Sequence, residues 1–264
     1  MVPRSLLRNP VLMATITTIS IIAFNFALIL VMMGLCLQNI LSLSNYEAGI
    51  IFLWMTLTIG GLSPIGGKLA DKMDMRLLII AGLLLMGCAA FLMSFLGISS
   101  SLFYVSTCLG VAGLGCGLCF PAINTAILRS VPATELNTAT GLFTMAMMVG
   151  NSLGVIISTS LLVSLGRLKL NSLLSTADLN LNISEVQKLE VLIAQADLSA
   201  THFKDFTPPK VPALLKIVNQ AFAYGMCYNM LVGMTLILTA IIVIYKYLGN
   251  LKVNATHSYA PPIL

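Results

Sequence analysis

Residues 77–128 read LLIIAGLLLMGCAAFLMSFLGISSSLFYVSTCLGVAGLGCGLCFPAINTAIL, which is 52 positions without a Lys, Arg, Asp or Glu. A bilayer helix takes about 20 apolar residues. The stretch is therefore too long for one crossing and suits two. The break falls at Gly97-Ile98-Ser99-Ser100-Ser101, placing spans at 77–96 and 102–128. The same reading of charge-free gaps predicts four more spans, at 11–36, 47–66, 139–164 and 220–245. The fold expected is an all-α membrane protein, a single domain of six transmembrane helices over residues 1–264.

Composition agrees. Of 264 residues, 58% are hydrophobic and 9% charged, with mean hydropathy +0.98. Soluble domains carry about 25% charged residues, so a cytosolic globular enzyme is excluded. The 14 basic residues give a net charge of +5 but are scattered and form no basic stripe, which excludes a nucleic-acid partner. The partner is the lipid bilayer. Six cysteines lie in apolar runs, so a disulfide framework is not expected. Cys116 and Cys119 form a C-x-x-C without a His or basic neighbour to stabilise a thiolate, and read as small packing residues.

Orientation follows the basic residues of the short loops. Arg4, Arg8, Lys68, Lys72, Arg76, Arg129, Lys246 and Lys252 fall on one side if the spans alternate. Both termini are expected in the cytoplasm of a cell-membrane protein, with residues 167–216 forming a long loop outside. In that loop Ser184-Glu185-Val186-Gln187 reads as a capping box, opening a short amphipathic helix over 184–197.

No Asp, Glu, Lys, Arg or His sits deep in a span. Membrane-embedded enzymes, proton relays and metal sites need such groups, so no catalytic residue, metal ligand or cofactor is expected. Uncharged polar residues remain: Asn25, Gln38, Asn124, Asn151, Tyr224 and Tyr228. Two readings stand for them, the lining of a wet or solute-filled cavity and helix–helix packing. Gly113, Gly117, Pro121, Gly150 and Gly154 read as packing positions, since small residues let membrane helices approach closely. Pro121 should also bend its span.

The strongest local motif is the loop after the second span, Gly66-Gly67-Lys68-Leu69-Ala70-Asp71-Lys72-Met73-Asp74-Met75-Arg76. It resembles motif A of the major facilitator superfamily, which Gly67, Leu69, Asp71, Lys72 and Arg76 match. Asp74 stands where that pattern has Gly, and Met75 where it has a basic residue. Leu7-Arg8-Asn9-Pro10, Leu37-Gln38, Tyr46-Glu47-Ala48-Gly49, Val131-Pro132-Ala133-Thr134-Glu135, Ala139-Thr140-Gly141-Leu142-Phe143 and Gly150-Asn151-Ser152-Leu153-Gly154 are similar to the superfamily's fourteen-span drug:proton antiporter branch (EmrB/QacA-like). The resemblance maps onto the C-terminal six spans of such a transporter. It implies half of a multidrug-type exporter of small amphipathic solutes, split or truncated, that works with an N-terminal half. The alternatives are a homodimeric six-span carrier and a non-transporting membrane scaffold. Asp71 is expected to fasten the second and third spans at their shared rim.

Overall fold

The computed structural model describes residues 6, 8–97, 100–176 and 211–247. Six long helices account for nearly all of them: α1 (Pro10–Leu35), α2 (Asn45–Lys72), α3 (Met75–Ser94), α4 (Leu102–Ser130), α5 (Leu136–Thr176) and α6 (Val211–Tyr247). Each is long and apolar enough to cross a bilayer. The expected helix at 184–197 lies outside the described residues.

Local chemistry sets several of the ends. Asn9 caps α1, its Oδ1 accepting from the Val11 and Leu12 amides, with Pro10 at the first helical position. Ser44 and Glu47 form a reciprocal capping box at α2. Asp74 caps α3 and Ser101 caps α4. At its far end α1 widens into a π-helical turn, Cys36–Ile40. Ser42, at φ 52°, then reverses the chain, and the Leu43 amide donates back to the Leu37 carbonyl at 3.0 Å.

Three helix pairs carry most of the packing, α2 with α4, α1 with α5 and α3 with α4. α3 bridges α4 and α6, and α6 also lies against α1 and α5. Exchanging helices 1–3 for helices 4–6 turns the α2–α4 pair into the α1–α5 pair, while the close α3–α4 pair maps onto the looser contact of α1 with α6. Lipid offers no hydrophobic drive between helices, so close approach is what holds such pairs together. A Cβ on Gly154 would lie 2.6 Å from the Phe24 carbonyl, and one on Gly150 would strike Ser20. Gly113 and Gly117 give the same proximity to Met55, Thr58 and Ile59 of α2. Gly82 of α3 and Gly115 of α4 face each other's carbonyls. Cys116 and Cys119 are buried in this α3–α4 seam, against Met86 and the Ile79 carbonyl.

α5 and α6 run beyond the expected spans. α5 continues past residue 164 to Thr176, and α6 starts at Val211 rather than near 220. Arg167 and Lys169 interrupt the apolar run, yet nothing there breaks a helix. Leu170 and Leu214 are fully buried and Leu174 packs beside them, so the two extensions hold each other as a stem.

Candidate functional site

The rim that carries Lys68, Lys72, Arg76 and Arg129 is called the basic rim below. There Arg129 Nη2 donates to Asp71 Oδ1 at 3.1 Å. Asp71 ends α2 and Arg129 ends α4, so the ion pair fastens α2 to α4. This corrects the expectation that Asp71 ties the second and third spans. The turn to α3 is held by Asp74, whose Oδ1 accepts from the Arg76 amide at 3.1 Å. Gly67 has open space around it, and Leu69 packs on the core below. Lys72 is exposed, and Arg76 Cζ lies 4.1 Å above the Tyr245 ring of α6. The basic rim is thus linked from α2 to α4 and from α3 to α6. Asn9 Nδ2 adds a bond from the start of α1 to the Ser130 carbonyl at 2.9 Å.

An exposed ion pair contributes about 0–1 kcal/mol, so Asp71–Arg129 holds position more than it holds the fold. Asp71→Asn and Arg129→Gln should each leave folded yield unchanged while lowering transport in a complete transporter several-fold. The exchange Asp71→Arg with Arg129→Asp should recover part of it. Failure of the exchange to recover more than either single variant would mean that the pair does not act as a clamp.

At mid-depth a second set of side chains gathers. Phe26 of α1 and Phe120 of α4 meet edge to face, with ring centroids 6.4 Å apart. Along α1, Phe26, Leu30, Gly34 and Gln38 follow at four-residue intervals and are half-exposed or exposed. Asn124 is exposed one turn beyond Phe120 toward the basic rim, about 6 Å along the axis. Asn151 of α5 is half-buried beside Gly150, which packs on Ser20 of α1. That contact puts Asn151 about 7 Å from the Phe26 level in the same direction. Asn124 and Asn151 therefore share a depth but not a face: Asn151 stands two turns from Ser158, on the side of α5 that meets α6.

The other expected lining residues lie elsewhere. Asn25 is fully buried, donates to the Ile21 carbonyl at 3.0 Å, and abuts Gly233 of α6. Gln38 is exposed in the π-helical turn, twelve residues or about 18 Å from Phe26. Tyr224 and Tyr228 stack at 4.7 Å near the outer part of α6, with Lys169 Nζ 5.2 Å from the Tyr224 ring. Polar residues not singled out in the sequence also hold helices together. Asn229 Nδ2 reaches the Ser158 carbonyl of α5 at 3.2 Å, and Ser20 Oγ reaches the Ala146 carbonyl at 3.2 Å. The four-residue spacing of Gly225, Asn229 and Gly233 was the available signal for this seam.

Comparison with known proteins places this architecture. The family model described as Major Facilitator Superfamily matches residues 15–173, from α1 through α5. The chain belongs to that superfamily. It is also similar to multidrug resistance protein Stp of Mycobacterium tuberculosis, 26% identical over 62% of this chain and 30% of that protein. Multidrug transporter protein MdtP of Bacillus subtilis is 29% identical over 45% of this chain and 22% of its own length. Methyl viologen resistance protein SmvA of Salmonella typhimurium is 26% identical over 56% and 29%. The match thus spans less than a third of each relative. Membership in the superfamily makes this a multi-pass membrane protein of a transporter family rather than an enzyme. Within that family the rim clamp and the mid-depth face are the features with chemistry to offer. The face presents two aromatic rings and one amide, able to hydrogen-bond and stack a solute but not to take up or release a proton near neutrality.

Proposed function

We propose that this chain is one six-helix half of a multidrug-type secondary exporter, completed by a second half, and that small amphipathic solutes cross between the two. The observation that carries the reading is the mid-depth face of α1 and α4. Phe26, Phe120 and Asn124 lie there half-exposed or exposed, at a depth where lipid requires no amide. Transporters of this kind place the substrate site near the midplane, between repeats. The second half is an N-terminal partner or a second copy of this chain, and it supplies the proton-carrying group. The membrane is the cell membrane, with the basic rim in the cytoplasm. The multidrug names of the relatives support the solute class.

The test is dye efflux by the chain co-reconstituted with a second half. Asn124→Ala should reduce efflux about three- to ten-fold, the range for one lost hydrogen bond of about 1 kcal/mol, at unchanged folded yield. Asn229→Ala, which loosens α5 from α6, should instead reduce folded yield. Full efflux by Asn124→Ala would remove the mid-depth face as the solute path.

A further inference from the structure

On the side of the bundle away from the α2–α4 pair, α3 and α6 leave an apolar groove of about 240 Å³ between them. Gly87 opens it, since only Ile237 lies within reach of a side chain there, at 3.5 Å. Leu84, Cys88, Phe91 and Leu238 line it and are exposed along its edge. An apolar cavity of roughly 150 Å³ already takes a benzene, so the groove is large enough for part of a hydrocarbon chain.

The groove does not stand alone on its seam. Arg76, Leu84, Gly87, Cys88 and Phe91 fall on one face of α3, and Tyr245, Ile241, Leu238 and Met234 fall on the matching face of α6. At the basic rim that stripe begins with the Arg76 guanidinium over Tyr245. Lys246 adjoins, over Tyr247. Lys72 is exposed nearby. Two carboxylates lie in this region, Asp71, already paired with Arg129, and Asp74, whose Oδ1 accepts from the Arg76 amide. The local balance is positive. From Arg76 to Gly87 is eleven residues, about 16 Å along α3. Half the hydrocarbon thickness is about 15 Å. The groove therefore lies at the depth of the acyl chains whose headgroups meet Arg76.

The geometry points to a site for one anionic phospholipid of the leaflet adjoining the basic rim, with its phosphate on Arg76 and one acyl chain in the Gly87 groove. Lipid covers any membrane protein without preference. This site adds a cation, Arg76, at headgroup level and a recess below it on the same seam, so it selects by charge and holds by shape. The inference is independent of whether the chain transports.

The full-length chain, purified in mild detergent, would be mixed with dioleoyl phosphatidylglycerol or dioleoyl phosphatidylcholine and read by native mass spectrometry. One phosphatidylglycerol should stay bound, about five-fold or more over phosphatidylcholine, the discrimination expected of one basic group at a membrane surface. Arg76→Gln should erase that preference, and Arg76→Lys should keep most of it. Leu84→Trp, which fills the groove from its exposed edge without entering a helix contact, should weaken both lipids alike. Helix content and elution volume would confirm that each variant is folded. Equal retention of the two lipids by the unaltered chain, or a preference that survives both Arg76→Gln and Leu84→Trp, would overturn the site. A dimer mass lost on Leu84→Trp would overturn it too, by assigning the groove to a second copy.

Discussion

Placed in liposomes alone under an imposed pH gradient, the chain should fail to move dye uphill, with efflux indistinguishable from empty vesicles. Coupling to protons needs a group that binds a proton on one side of the membrane and releases it on the other. Asp, Glu and His are the side chains whose pKa values environment can bring near neutrality in such a place. From residue 48 to 67, 77 to 128, 136 to 166 and 217 to 245 the helices carry none of them, nor does α1. Glu47 is the nearest carboxylate, but it is exposed and held in the capping box, with its Oε2 accepting from Ser44 at 2.8 Å. Co-reconstitution with a half that carries an embedded carboxylate should restore efflux by an order of magnitude or more over background. Sustained pH-driven efflux by the chain alone, surviving Glu47→Gln, would show that coupling resides in these six helices and that the half-transporter reading is wrong.

Gly154→Leu should be among the most damaging single substitutions in the bundle. Its Cβ would sit 2.6 Å from the Phe24 carbonyl and 3.0 Å from the Ala27 Cβ, against backbone that cannot rotate away. Overpacking a tight interior costs about 1–3 kcal/mol even where side chains can adjust, and here α1 and α5 must separate. Because every 1.4 kcal/mol is about tenfold in an equilibrium, monodisperse protein recovered from membranes should fall roughly ten-fold or more. Gly141→Leu is the control, since nothing stands within 4 Å of it on the same helix. Equal recovery of the two variants would mean that the α1–α5 pair is not held by close backbone approach.

Most of the helical framework was legible because charge is so costly in hydrocarbon that its absence alone marks the crossings. The break at Gly97–Ser101 is local chemistry, and local chemistry can be read along the chain; the caps at Asn9, Ser44 and Asp74 were not singled out in the sequence. The stem beyond residue 164 was not, because Arg167 and Lys169 looked like an end. On a helix that leaves the membrane Arg167 is an exposed position and Lys169 lies half-buried against the Tyr224 ring, while Leu170 and Leu174 continue the packing. The site was less legible for a related reason. Spacing on one helix shows which residues share a face but not which neighbour that face meets. Asn25 and Asn124 look equivalent in sequence; one is buried against Gly233 and the other lies open beside Phe120. Likewise Arg129 is 58 residues from the carboxylate it binds, and only the α2–α4 pairing joins them.

That pairing has a mechanical consequence. Pro64 lies in α2 and Pro121 in α4, and each leaves one carbonyl of its own helix without an amide donor. Gly66 closes on the carbonyl that Pro121 frees, Gly117 O, which would be 2.8 Å from a Cβ there. Both weak points thus fall within about one turn of each other, on parallel helices lashed together above by the glycine contacts and below by Asp71–Arg129. Neither helix can flex at its proline alone without shearing the contact or parting the ion pair. The two lower segments are obliged to swing as one lever, with its fulcrum at Gly66 and Gly117.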